Sequence, residues 1–205
     1  MDLANAVRRS YQEDEYEILI FEESRWAGAL APFDALTVDS DYSVAADMRR
    51  IDGTESDYAI VFDLRDWDNY FYLIVDPGKQ WFGVAKVAKG KPRIVIPATD
   101  SLVINPGQET NHLQVNRKGD EIVVIINGSQ LASASSSGFG VDPRVGLYME
   151  SDGDAPANVR YDNFEVWQLE NGAVQSVQAQ QIRTPSMGGL DAYSGLQEKG
   201  VELFE

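Results

Sequence analysis

The side chains best suited to chemistry in this chain fall into an aromatic set, an acidic set and a single imidazole. Trp26, Trp67, Tyr70, Tyr72, Trp81 and Tyr148 offer flat apolar platforms on which the C–H face of a sugar ring could pack. Asp47, Arg49, Asp63, Arg65, Gln114, Asn116, Glu150 and Arg160 occupy the less apolar faces of their segments and could bond sugar hydroxyls. From these, Trp67, Tyr72, Trp81, Tyr148, Arg49, Arg65 and Glu150 form the candidate ligand-binding set. The competing reading is structural: an aromatic's large apolar area is usually buried, and surface charges usually pair with one another.

The acids suggest two further chemistries. Asp63, Asp66, Asp68 and Asn69 cluster in one turn and Asp152 and Asp154 in another, so Asp66, Asp68, Asp152 and Asp154 are candidate oxygen ligands for calcium. Neither cluster has the spacing of an EF-hand loop, and Asp or Asn bonding its own backbone in a turn accounts for both. For acid–base work the nearest groupings are Glu150-Ser151-Asp152-Gly153-Asp154, which runs into the turn Gly153-Asp154-Ala155-Pro156, and Glu13, Glu15 and Glu17, which share one face of a strand. An edge strand whose charges discourage pairing with another sheet explains the second. One histidine, His112, with no cysteine leaves too few ligands for an ordinary zinc site, and no nucleophile elbow accompanies His112. The chain therefore reads as non-catalytic.

These side chains have to be positioned by strands. From Glu15 to Trp167 the dominant hydrophobic period is two, with β-branched and aromatic residues at the alternating positions, which predicts an all-β chain. The first strand is expected over Tyr16 to Phe21, and a long one over Tyr42 to Ile51 with Tyr42, Val44, Ala46 and Met48 on its apolar face. Asp76-Pro77-Gly78, Gly119-Asp120 and Asn127-Gly128 are hairpin turns, the last two calling for positive φ that Gly and Asn accept at least cost. Asp162-Asn163 reads as a β-bulge, Ser133 to Gly140 as a Ser/Gly-rich loop, and the segment between Pro97 and Pro106-Gly107 as another loop. Residues 1–13 and part of the tail are candidates for helix. Residues 1–170 form one sandwich domain on this reading, and residues 171–205 a C-terminal strand and extension packed on it or on a neighbour.

Seventeen basic against 33 acidic residues give a formal charge of -16, which repels nucleic-acid phosphates and anionic lipid headgroups. No run approaches the roughly 20 apolar residues of a membrane-spanning helix, so neither nucleic acid nor membrane insertion is expected. The segment from Met1 to Arg9 lacks a basic stretch followed by an apolar one, so no signal peptide is visible in it.

Three segments stand in a fixed order: Tyr11-Gln12-Glu13-Asp14-Glu15-Tyr16-Glu17-Ile18; Tyr58 to Phe62 followed by Asp66-Trp67-Asp68-Asn69-Tyr70-Phe71-Tyr72-Leu73; and a β-meander. The meander reads Thr110-Asn111-His112-Leu113-Gln114-Val115-Asn116, then Gly119-Asp120, Asn127-Gly128, Val145-Gly146-Leu147-Tyr148 and Asp162-Asn163-Phe164-Glu165-Val166. Together, over about residues 11 to 169, they resemble a family of bacterial laminin-G-like or concanavalin-A-like sandwich domains. Thr110 departs from it, because the family usually has tryptophan there, and the strand that often precedes the tyrosine is not evident. The resemblance implies an antiparallel jelly-roll sandwich of two sheets with about 12 to 14 strands. It also implies a carbohydrate-binding or adhesion-type module, extracellular or at the cell surface. The alternative is an assembly module whose acidic sandwich and tail contact other subunits. Members of the superfamily also include glucanases, sugar lyases and keto-disaccharide hydrolases. The glucanases place Glu-x-Asp-x-Glu or Glu-x-Asp-x-x-Glu on one strand, a triplet this chain lacks.

Overall fold

The computed structural model describes residues 6–23, 25–31, 36–53, 56–151, 153, 155–170, 173–175 and 191–196. Among them are fifteen strands and no helix. In chain order these are β1 (Val7–Gln12), β2 (Glu15–Ile20), β3 (Arg25–Leu30), β4 (Tyr42–Asp52), β5 (Ser56–Asp66), β6 (Asn69–Asp76), β7 (Trp81–Ala88) and β8 (Lys91–Asp100). They continue with β9 (Asn111–Lys118), β10 (Glu121–Ile126), β11 (Ser129–Ser135), β12 (Arg144–Ser151), β13 (Ala157–Glu170), β14 (Ala173–Gln175) and β15 (Asp191–Leu196).

One sheet runs β1-β2-β13-β4-β9-β10-β11 with β14 beside β13, and the other runs β15-β3-β12-β5-β6-β7-β8. Each is antiparallel throughout, so the all-β chain expected from the period-two pattern, and the two-sheet jelly roll that the family resemblance implies, are the observed fold. Inward-facing residues alternate along each strand, as the pleat requires. Tyr42, Val44, Ala46 and Met48 of β4 meet Tyr58, Ile60 and Phe62 of β5 and Phe71, Leu73 and Val75 of β6 in the core between the sheets. Positive φ at Gly119 (52°), Asn127 (49°) and Gly128 (77°) closes the β9–β10 and β10–β11 hairpins as their sequences predict. The bulge at Asp162-Asn163 is present too, with Asn163 at φ 48° where the register of β13 on β4 shifts.

Several expectations are corrected. Val7–Gln12 is a strand, not a helix; it pairs residue for residue with β2 from Val7↔Ile20 to Gln12↔Glu15. It is therefore β1, not the strand of Glu13, Glu15 and Glu17, that forms the edge of the sheet. Of the expected loop from Ser133 to Gly140, Ser133–Ser135 are paired with β10 as the end of β11 and only 136–140 are irregular, and β8 continues through Pro97 to Asp100 because β7 holds it as far as Trp81↔Asp100. In the tail, β14 joins β13 and β15 joins β3; the other residues of 171–205 lie outside the described residues.

Asp63 is not a surface residue. The pairing of β5 with β6 is interrupted between Phe62 and Asp66, Asp63 takes φ 47°, and its carboxylate turns into the interior. There it accepts the Tyr42 hydroxyl at 2.5 Å and Arg117 Nε at 2.8 Å. Burial first, and the Asp63 charge second, push the Tyr42 phenol far above its ordinary pKa. Arg117 also donates to the Ser136 carbonyl, and Lys86 to that of Ser137, with the Lys86 ammonium lying 5.0 Å from the Phe71 ring centroid and 4.7 Å from that of Phe139. The pair thus joins β5 to β9 across the sandwich and ties down the chain that leaves β11. Removing one partner of a buried ion pair leaves the other charge uncompensated. Arg117→Met should lower the unfolding free energy by about 3 kcal/mol in a urea titration; a loss below about 0.5 kcal/mol would place the pair outside the stable core.

Candidate functional site

The outer face of the second sheet carries an apolar cluster of its own. Leu30, Ala59, Val61, Leu64, Tyr70, Tyr72, Ile74, Trp81, Ala85, Val87 and Tyr148 form a second buried cluster there, with Trp26 and Trp67 packed against it half-exposed. Trp67 comes from the β5–β6 turn, where Asp66 Oδ1 accepts the Asp68 backbone N–H and the Asn69 side-chain amide. From that turn the indole lies back across the sheet onto β3. A Cβ placed on Gly28 would come within 2.5 Å of Trp67 Cη2, so glycine is what lets the ring approach β3 this closely.

The rings close a circuit. Trp26 and Trp67 are 5.2 Å apart between centroids, Trp67 and Tyr70 5.5 Å, and Tyr70 and Tyr72 5.7 Å. Tyr72 and Tyr148 follow at 6.0 Å, and Tyr148 stacks on Trp26 at 5.6 Å. Glu150 stands at its edge and accepts the Tyr148 hydroxyl. Burial above all, then the Glu150 charge, raises the pKa values of Tyr70, Tyr72 and Tyr148, so these phenols stay neutral. Glu150 is paired across the sheet with Trp26 of β3 on one side and with Asp57 of β5 on the other. Trp26, Glu150 and Asp57 therefore form one row on the outer face, each half-buried.

Of the residues picked out from sequence, Trp67, Tyr72, Tyr148 and Glu150 are brought together, with Trp26 and Tyr70 completing the group. Trp81 belongs to the same face on β7. The exposures of Tyr70 (9%), Tyr72 (6%), Trp81 (9%) and Tyr148 (4%) make these four the packed floor, which leaves Trp26 and Trp67 as the accessible aromatic surface. Arg65 is exposed beside Trp67 and pairs with Asp66. Arg49 is not part of this group. It lies on β4 in the opposite sheet, where its guanidinium grips the Glu15 carboxylate through two nitrogens. Asp47, Gln114, Asn116 and Arg160 are with it on that polar outer face, because period-two alternation puts them opposite the inward Val44, Ala46, Leu113, Val115 and Val159. Asp57 was missed; its signal is that it shares a face with Ala59 and Val61.

The polar face is an ion-paired lattice. Arg160 reaches Glu13, Glu15 and Glu17, and Arg8 reaches Glu17. His112 Nδ1 lies 2.7 Å from Asp47, whose second oxygen accepts the Asn163 amide. Among the described residues no group of three or more His, Cys, Asp or Glu is placed to hold a metal ion. Asp66 serves its turn instead, while Asp152 and Asp154 lie outside the described residues.

No family model matches the sequence, and no curated protein matches it. Solved structures do. A protein of unknown function with a galectin-like fold from Bacillus subtilis superposes with a TM-score of 0.60 at 12% identity over 78% of this chain and 86% of that one. The carbohydrate-binding module CBM66 from Bacillus subtilis gives 0.56 at 15% identity over 78% and 91%, and the Emp47p carbohydrate recognition domain 0.52 at 13% over 78% and 89%. The likeness is one of fold.

Gly28→Ala should lift Trp67 off β3, shifting tryptophan emission to the red and costing about 1–3 kcal/mol of stability; unchanged emission would contradict the seating of the ring. On the polar face, Glu15 is held below the ordinary carboxylate range, first by the hydrogen bond from Arg49. Burial pushes Glu17 upward, but bonds from Asn158, Arg8 and Arg160 outweigh it and its pKa also falls. A carboxyl depressed in the folded state contributes stability that is complete above its unfolded value and is lost as pH falls through the folded one. Arg160→Met should accordingly cost more stability near pH ~7 than near pH ~3, measured by urea titration at both; an equal cost at both would remove charge from the account.

Proposed function

We propose that this chain is a non-catalytic glycan-binding module that takes its ligand on the outer face of the second sheet. The observation that carries the reading is the Trp26–Trp67 pair, half-exposed on a packed floor of tyrosines, with Glu150 beside it as a hydrogen-bond acceptor. A sugar ring needs an apolar plane fixed in advance and a polar group within reach, and here neighbouring rings hold the plane at little entropic cost on binding. Two of the similar folds are a carbohydrate-binding module and a carbohydrate recognition domain, which supports the same reading. A module of this kind works outside the cell or at its surface, where polysaccharides are found.

One observation bears on hydrolysis: Glu150 and Asp57 are opposite each other on adjacent strands, and retaining glycosidases use two carboxylates about 5–5.5 Å apart. Release of reducing ends that disappears in Glu150→Gln would convert the module into an enzyme.

Affinity electrophoresis through gels containing plant, algal or bacterial polysaccharides tests the main reading. Retention in at least one gel is expected, with Trp67→Ala and Trp26→Ala each weakening it about tenfold, the equivalent of about 1.4 kcal/mol. No retention in any gel, or retention that survives both substitutions, would overturn it.

A further inference from the structure

Strand β15 closes the second sheet on the side that carries Trp26. Without it β3 would be an edge strand with five of its six residues buried, and so apolar an edge invites pairing by another chain unless it is covered. β15 covers it over its whole length, from Asp191↔Leu30 to Leu196↔Arg25. Residues directly opposite each other share a face of the sheet, and on β3 it is Trp26 and Leu30 that belong to the outer cluster. Asp191, Tyr193 and Gly195 therefore occupy positions on that same outer face, opposite Leu30, Gly28 and Trp26. Residue sizes alternate across the pair, with glycine opposite Trp26 and tyrosine opposite Gly28. A slip of two residues either way, the smallest that keeps the faces, would set Tyr193 against Trp26 or Leu30 and lose this fit. Gly28 is the residue against which the Trp67 ring closes, and on its other side it pairs with Tyr148. Neighbouring strands lie roughly 4.8 Å apart, so position 193 adjoins the seat of Trp67 at the open end of the aromatic circuit.

We infer that the tail strand is part of the binding surface, and that Tyr193 supplies a third ring to the platform of Trp26 and Trp67. Sheet pairing fixes its position before the ligand arrives, so a longer stretch of sugar can be met at little ordering cost. The inference rests on the reading of this face as a glycan site and adds a recognition residue from the C-terminal tail.

The placement is tested without a ligand. The chain has no cysteine, so Ala27→Cys with Ser194→Cys, a pair on the inner face, introduces the only disulfide it could form. Directly opposed residues of antiparallel strands have Cα atoms about 4.5–5.5 Å apart, within the range a disulfide accepts. Oxidation is expected to cross-link this pair within one chain, and likewise Ala29→Cys with Ala192→Cys, as read by mass spectrometry of the non-reduced digest. No bond in either pair, or bonds formed only between chains, overturns the inference. Binding is then measured by affinity electrophoresis in a polysaccharide gel that retains the unaltered chain. Tyr193→Ala should weaken retention about tenfold and Tyr193→Phe should leave it within about twofold, because the platform needs the ring and not the hydroxyl. The loss in Tyr193→Ala should persist in the cross-linked chain, where the disulfide keeps the strand on β3; its disappearance there assigns the loss to strand displacement and overturns the inference. Retention that depends on Trp67 but not on Tyr193 overturns the inference alone and leaves the glycan-binding reading standing. No retention in any gel overturns both.

Discussion

Burial of both faces of the second sheet is the constraint from which the other features follow, because β5 and β6 are apolar at every position from Tyr58 to Phe62 and from Tyr70 to Val75. The inner faces meet the first sheet in the ordinary way. Residues facing outward, Ala59, Val61, Tyr70, Tyr72 and Ile74, would each forfeit on the order of 1–3 kcal/mol if left in water. Trp67 and Trp26 are drawn onto that face for this reason. The β5–β6 turn, the glycine at position 28 and the close approach of the indole form one arrangement, in which a turn residue supplies cover to the sheet it has just left.

The first sheet has solved the opposite problem. Its outer face is polar, so no apolar cover is needed, and the charges there satisfy one another: Arg160 and Arg49 interleave with Glu13, Glu15 and Glu17 across β2, β13 and β4. Such a lattice has little left to offer a ligand, since each guanidinium already has its carboxylate. The two outer faces thus differ in what they hold in reserve. One holds half-exposed rings; the other holds satisfied ion pairs.

Strand positions were legible because a half-buried strand has a fixed period, and the hairpin turns were legible because positive φ selects Gly and Asn. Which strand lies beside which is set by contacts far apart in sequence, and this is where sequence reasoning went astray. Arg49 and Glu150 look alike as polar residues on otherwise apolar strands, yet β4 and β12 belong to opposite sheets. Asp63 looks like a surface acid because strict alternation puts it outside, and the bulge after Phe62 turns it inward. Val7–Gln12 failed as a strand because Arg8, Arg9 and Ser10 break the apolar alternation, and pairing to β2 overrode the composition. Asp57 escaped notice since only the β5–β12 register places it against Glu150.

A surface that is also a packed layer constrains binding in a particular way. Tyr70, Tyr72 and Tyr148 cannot swing out to meet a ligand without opening the cluster that covers β5 and β6, so they act as a rigid floor with phenols held neutral by burial. On the proposed glycan-binding reading, what remains for recognition is the upper side of Trp26 and Trp67. That is a small, preorganised surface, which favours a ligand of one or two rings with modest affinity and little rearrangement on binding. Stronger attachment would then come from repetition, by several copies of the ring along a polymer or several copies of the module on a surface, rather than from enlarging a site whose floor is already committed to the fold.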